Sequence, residues 1–122
     1  MSNGIIVFAH GSRVESANEA VRAIARDLLR SSGCDRVAAA FLELGTPDLE
    51  TAADELVGAG VERLIIIPYF LTLGLHMERD LPCLVERIIE KHKGLQVEVT
   101  APLDGHPGLV SILADRVRGI LN

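Results

Sequence analysis

The sequence predicts an α/β fold: one doubly wound domain in which helices cover both faces of a four-stranded parallel sheet of strand order 2-1-3-4. Two observations carry this expectation. Apolar runs of strand length alternate four times with segments whose apolar residues recur at helical spacing, the pattern of parallel strands joined by crossover helices. A length of 122 residues also suits a single hydrophobic core, so residues 1–122 read as one domain.

The first strand is Ile5-Ile6-Val7-Phe8, a continuous apolar run suited to burial on both faces, ending near Ala9. Ala17, Val21, Ile24 and Leu28 then share one helical face, placing the first helix from Glu15 to Arg30 with Ser32-Gly33 as its stop. Val37 to Phe41 forms a short second strand, weakened by its alanines. Thr46-Pro47-Asp48 predicts a helix start, with Thr46 as N-cap, Pro47 at the first helical position and Asp48 near the positive dipole end. Leu49, Ala53, Leu56 and Val57 carry this second helix to Gly60. Val61 to Ile67 is the third strand, closed by Pro68, which has no N–H to give a ladder.

Tyr69 to His76 follows as a loop punctuated by Pro68 and Gly74. It is too apolar for ordinary solvated chain and is expected to contact something hydrophobic. A third helix is predicted with Asp80 and Pro82 in its first turn, Leu81, Leu84, Val85, Ile88 and Ile89 on its apolar face, and Gly94 beyond its end. Leu95 to Val99 makes the fourth strand. Pro107 opens a fourth helix with Leu109, Leu113, Val117 and Ile120 as the expected buried stripe.

Composition narrows the function. At 48% hydrophobic residues the chain lies outside the disordered class. Its longest apolar runs fall far short of the ~20 residues of a membrane span. Met1-Ser2-Asn3-Gly4 carries no basic flank and runs straight into a strand, so no secretory signal and a cytoplasmic location are expected. A net charge of −5 opposes the phosphate contacts of nucleic-acid binders, and 3% aromatics without Trp offer no base-stacking surface. Cys34 and Cys83 form no CxxC pair and read as reduced core thiols.

Right-handed crossovers put the carboxyl ends of all strands on one sheet edge. In this flavodoxin-like order the winding reverses between the first and third strands, where open α/β sheets bind ligands. His10 and Ser12 follow the first strand, Glu43 the second, and His76 closes the segment after the third. Two imidazoles and a carboxylate suit cobalt(II), nickel(II), iron(II) or zinc(II), and three protein ligands leave positions open for chemistry or transfer. The wide spacing excludes a local motif such as HExxH. Structural readings stand beside these: His10 bonding the Gly11-Ser12 turn, His76 ending a loop, Glu43 resting at the second helix's N-terminus.

Arg13 and Arg79 flank the histidines and suit substrate carboxylates, or are simply solvated. The Gly11-Ser12 turn could offer amides to an anion, but neither GxGxxG nor GxxxxGK[ST] is present, and no GxSxG surrounds Ser12. His92 suits the negative end of the third helix. His106, in Asp104-Gly105-His106-Pro107, suits a turn or cap, with substrate contact left open.

Phe8-Ala9-His10-Gly11-Ser12-Arg13, Ala40-Phe41-Leu42-Glu43 with Pro47 after it, Pro68-Tyr69-Phe70-Leu71 leading to Gly74 and His76, and Asp80-Leu81-Pro82 resemble the class II tetrapyrrole chelatases. The similarity is to the short, single-domain sirohydrochlorin cobaltochelatase type. It extends to Pro102-Leu103-Asp104-Gly105-His106-Pro107 and so spans essentially the whole chain.

The resemblance implies a chelatase-like fold and insertion of a divalent ion into sirohydrochlorin, cobalt first and nickel or iron as alternatives. The products would serve cobalamin or related tetrapyrrole biosynthesis. The ion is a substrate, and no organic cofactor is implied. His10, His76 and Glu43 would hold the metal or accept pyrrole protons. Ser12, Arg13, Tyr69, Phe70, Leu71, Gly74 and Leu75 would contact the ring. Longer relatives place two such domains across one cleft, which implies a homodimer here, with no nucleic-acid or membrane partner. Two other readings remain: a non-catalytic carrier of tetrapyrrole or metal, and a phosphoryl-transfer domain using His10.

Overall fold

The computed structural model describes residues 2–122. Its elements are β1 (Asn3–Ala9), α1 (Glu15–Ser32), β2 (Arg36–Phe41), α2 (Leu49–Gly58), β3 (Arg63–Pro68), α3 (Leu75–Lys91), β4 (Gln96–Val99) and α4 (Gly108–Leu121). All strand pairs are parallel and the order is β2-β1-β3-β4, as predicted. β1 is central, and Ile5 through Ala9 are buried on both faces.

Alternation along the strands sorts the core. Ile6 and Phe8 point to one side, where they join Ala40, Leu64 and Ile66 and the apolar faces of α2 and α3. Val7 and Ala9 point to the other and pack with Ala39, Phe41 and the α1 residues Val21 and Ala25. The buried face of α1 is Asn18, Val21 and Ala25, rotated from the predicted stripe, so Ala17 and Ile24 are exposed. The rotation follows from Asn18, which finds enough hydrogen-bond partners to be buried.

Three helix expectations are corrected. In α2, Thr46 is not the cap and Pro47 is not the first helical residue. The Pro47 carbonyl accepts from Phe41 N at 2.9 Å, which draws this segment onto the end of β2. Asp48 then caps the helix, its Oδ1 accepting from Thr51 N at 2.8 Å, and the helix ends at Gly58 rather than Gly60. That amide bond holds the Asp48 carboxyl below the usual aspartate range.

α3 begins at Leu75, not near Asp80. Gly74 serves as an extended N-cap whose carbonyl accepts from Glu78 N at 3.0 Å. The earlier turn places Met77 and Leu81, four residues apart, in the core. Pro82 therefore lies inside the helix, on its exposed side.

In α4 no residue is buried, and Leu113, Val117 and Ile120 of the predicted buried stripe are exposed. No other helix or strand packs substantially on it. The cysteines are unpaired, but Cys34 is half-buried and Cys83 exposed on α3, so neither is a core thiol. Among the described residues no helix is long and apolar enough to cross a membrane.

Candidate functional site at the carboxyl edge of the sheet

The β1–β2 ladder continues beyond the strand ends. Leu42 N donates to the Ala9 carbonyl at 2.9 Å and Glu43 N to the His10 carbonyl at 3.1 Å, so the two predicted site residues are backbone neighbours. Gly11 makes this approach possible. Its φ is +96°, and a Cβ there would lie 1.6 Å from the Glu43 carbonyl oxygen, a separation no side chain survives. Tyr69 N donates to the Phe8 carbonyl at 2.7 Å and sets the segment after β3 beside them. The Phe70 ring meets the His10 ring edge-on, with centroids 6.1 Å apart. Leu103 N and Asp104 N donate to the Phe70 and Leu71 carbonyls at 2.9 and 2.7 Å. The junctions after all four strands are thus stitched together on one edge.

Asn18 ties two of these junctions. Its Oδ1 accepts from Ser12 N, and its Nδ2 donates to the carbonyls of Ser12 and Leu44, each at 2.9 Å. Leu44 sits at a left-handed φ of 56°, a conformation unfavourable for a residue with a Cβ. Asn18 is the buried polar residue of the core. Sequence reasoning missed it, though the signal was there: a polar residue at helical spacing with Val21 and Ala25. Ser12 Oγ accepts from Val14 N at 3.0 Å, a turn role with no base aimed at it.

His76 is exposed in the first turn of α3, not at the end of a loop. Tyr69, Phe70 and Leu73 are half-buried and rest on the core, while Leu71, Gly74 and Leu75 are exposed. The segment thus divides into an anchored half and a bare apolar rim. Arg13 and Arg79 are exposed at the same edge, as is Glu43. Among the described residues no three His, Cys, Asp or Glu side chains stand close enough to hold an ion, so the predicted ligands form no ready-made cage. An apolar groove of about 450 Å³ lies on the adjoining flank between α3 and β4, lined by Leu73, Met77, Leu81 and Val99 among others.

The remaining two histidines each bond within the fold. His92, at the end of α3, has Nε2 2.7 Å from Asp54 Oδ1, and Lys91 Nζ lies 2.7 Å from Oδ2. Hydrogen bonds from Lys91 and then His92 hold the Asp54 carboxyl below its usual range. His106 Nδ1 accepts from Gly108 N at 2.8 Å and shapes the turn into α4.

A parallel 2-1-3-4 sheet with histidines at its carboxyl edge is the arrangement that the motif resemblance to the chelatases implies. The chain belongs to the CbiX family, whose profile matches residues 4–120, and this bears out the resemblance carried by the motifs. It is 29% identical to a sirohydrochlorin cobaltochelatase of Methanothermobacter thermautotrophicus, over 97% of this chain and 92% of that one. It is 30% identical to the chloroplastic sirohydrochlorin ferrochelatase of Arabidopsis thaliana, over 99% of this chain but only 54% of that longer protein.

Among solved structures, a CbiX protein from Marinobacter aquaeolei VT8 superposes with a TM-score of 0.82 at 30% identity, covering 98% of this chain and 97% of that one. The sirohydrochlorin chelatase SirB from Bacillus subtilis, solved with cobalt, superposes with a TM-score of 0.90 at 23% identity. That match covers 98% of this chain and 51% of SirB, and it shows the shared fold.

Proposed function

We propose that this chain is a sirohydrochlorin chelatase that inserts a divalent metal ion, cobalt in the first instance and nickel or iron as alternatives. In this reading it works in the cytoplasm as a homodimer with one such domain per chain. The observation that carries the reading is the stitched edge. There His10 and Glu43 are locked as neighbours, Phe70 packs on His10, and the His76-bearing start of α3 rises beside a bare apolar rim.

Insertion requires the macrocycle to lose two pyrrole protons while the ion sheds water. Neutral imidazole nitrogens of His10 and His76 hold the ion or take up a proton, and Glu43 completes the metal's ligands or shares the proton acceptance. Ring nitrogens supply the further donors. Tyr69, Phe70, Leu71, Gly74 and Leu75 give the macrocycle an apolar surface that excludes water, beside Ser12. Arg13 and Arg79 meet its carboxylates and offset locally a net charge of −5.

The test is insertion of cobalt, nickel and iron into sirohydrochlorin, followed by absorption against the uncatalysed rate. Turnover of excess macrocycle is expected, and a folded His10→Ala, His76→Ala double variant should lose it. A stoichiometric spectral shift without turnover would establish a carrier instead. Unchanged rates in the double variant would reject the assignment of the histidines.

A further inference from the structure

The loop between β2 and α2 faces solvent, yet it is tied at almost every residue. Glu43 N donates to the His10 carbonyl at 3.1 Å, and the Leu44 carbonyl accepts from Asn18 Nδ2 at 2.9 Å. Gly45 rests directly on the core: a Cβ there would lie 2.9 Å from the Phe41 ring and 3.1 Å from Asn18 Nδ2. Pro47, bonded to Phe41 N, anchors the far end. Leu44 keeps its left-handed φ of 56° against its own Cβ. Such strain persists where surrounding contacts over-determine the backbone, and it gathers at sites that need a fixed geometry.

The stretch between Leu44 and Pro47 is held from α1 by Arg22. Its Nη2 donates to the Thr46 carbonyl at 3.1 Å, and its Nη1 bonds Glu15 Oε1 at 2.6 Å and Glu19 Oε2 at 3.3 Å. Its Cζ lies 5.2 Å from the centroid of the Phe41 ring, which carries Gly45. A planar guanidinium serves a carbonyl, two carboxylates and a ring face at once, which an ammonium cannot do. Glu15 joins this grip to the other one, since its Oε2 accepts from Asn18 Nδ2 at 3.3 Å. The other arginines of α1 do nothing comparable. Among the described residues Arg26 and Arg30 pair only with Glu19 and Asp27 of their own helix, with side chains 61% and 80% exposed against 26% for Arg22.

We propose that Arg22 is a positioning residue for metal insertion: by gripping Thr46 and Phe41 it fixes the loop that presents Glu43 beside His10. This role rests on the part given to Glu43 in the proposed function, and it adds a residue that touches neither ion nor macrocycle. Asn18 does not duplicate it, because its hydrogen bonds to the loop end at Leu44. Arg22 also differs from Asn18 in what its loss leaves behind. Thr46 is exposed, so water takes over its carbonyl, and surface ion pairs contribute little to stability. Removing Arg22 therefore loosens the loop while the fold stays intact, and a rate that depends on placement falls without a matching fall in stability.

The test compares Arg22→Met, which keeps an unbranched chain over Phe41 and removes the fork, with Arg26→Met, which removes the same charge from the same helix away from the loop. Both should unfold in urea close to the wild-type midpoint. Hydrogen exchange followed by NMR should quicken roughly tenfold at the Glu43 amide in Arg22→Met, with the β1 amides unchanged, and should stay at the wild-type rate in Arg26→Met.

Insertion of cobalt into sirohydrochlorin should lose roughly tenfold in kcat in Arg22→Met, with the KM for the macrocycle little changed. On a Glu43→Gln background the same substitution should cost less than about twofold, because placing a side chain that no longer acts gains nothing. A merely structural arginine would cost as much on either background. An unchanged Glu43 amide, equal losses with and without the Glu43 carboxylate, an equal loss in Arg26→Met, or a urea midpoint lowered in Arg22→Met alone would each overturn the positioning role. A wild-type chain that inserts no metal, or a Glu43→Gln chain as fast as wild type, would instead remove the reading of the site and the effect on insertion with it. Exchange at the Glu43 amide would still decide the clamp, so the two failures are told apart.

Discussion

Replacing Asn18 by Ala removes a buried side chain that bridges the β1–α1 and β2–α2 junctions. Three hydrogen bonds of 2.9 Å disappear, to Ser12 N, the Ser12 carbonyl and the Leu44 carbonyl. At about 0.5–1.5 kcal/mol net each, with a further cost for any group left dry, the loss is about 2–4 kcal/mol. Against a domain stability of roughly 5–15 kcal/mol this is a large fraction, and for a chain of this size it lowers the melting temperature by roughly 10–15 °C.

The left-handed Leu44 also loses the bond that holds its carbonyl, so the Glu43 loop drifts relative to His10. Insertion measured at a temperature where the variant remains folded should therefore fall by roughly tenfold or more, since ångström-scale misplacement is expensive. Asn18→Asp sharpens the argument. It keeps the acceptor for Ser12 N but sets a carboxylate against two carbonyls and against Glu15 Oε2, now 3.3 Å from Nδ2.

The folded-state pKa of that new carboxyl is raised. Its penalty is full above that raised value and fades as pH falls toward the unfolded value of about 3.9. Thermal melts across pH and insertion rates on the same preparations provide the check. An Asn18→Ala protein melting within ~2 °C of wild type, or an Asn18→Asp protein whose deficit relative to wild type is the same at neutral as at acid pH, would refute the reasoning.

Gly11→Ala should be more damaging than an ordinary loop substitution. It combines a left-handed backbone, costing about 1–2 kcal/mol, with a Cβ 1.6 Å from the Glu43 carbonyl oxygen, and chemical denaturation should show a loss well above 2 kcal/mol. Asp48→Ala should remove about 1 kcal/mol of capping at neutral pH. Because the Asp48 carboxyl is held below its usual range by the Thr51 amide, this contribution is full above the unfolded value of about 3.9. It is lost as pH falls through the lower folded value. Urea midpoints of wild type and variant should therefore converge in strong acid, and a constant difference down to pH 2 would speak against the cap.

Local patterning made most of this protein legible. β-branched runs, apolar spacing and Gly or Pro punctuation are properties of neighbouring residues, so eight elements, their parallel arrangement and the edge bearing His10, Glu43 and His76 followed without coordinates. Tertiary structure decided what depends on distant partners. Pro47 left the helix because its carbonyl serves the end of β2, and α3 gained an early turn because Met77 and Leu81 reach the core. Asn18 became a core residue because two loops bring carbonyls to it. The apolar stripe of α4 shows the division most plainly: its spacing specifies that something must cover it, but spacing carries no address, and burial is a property of whichever surface comes to meet it.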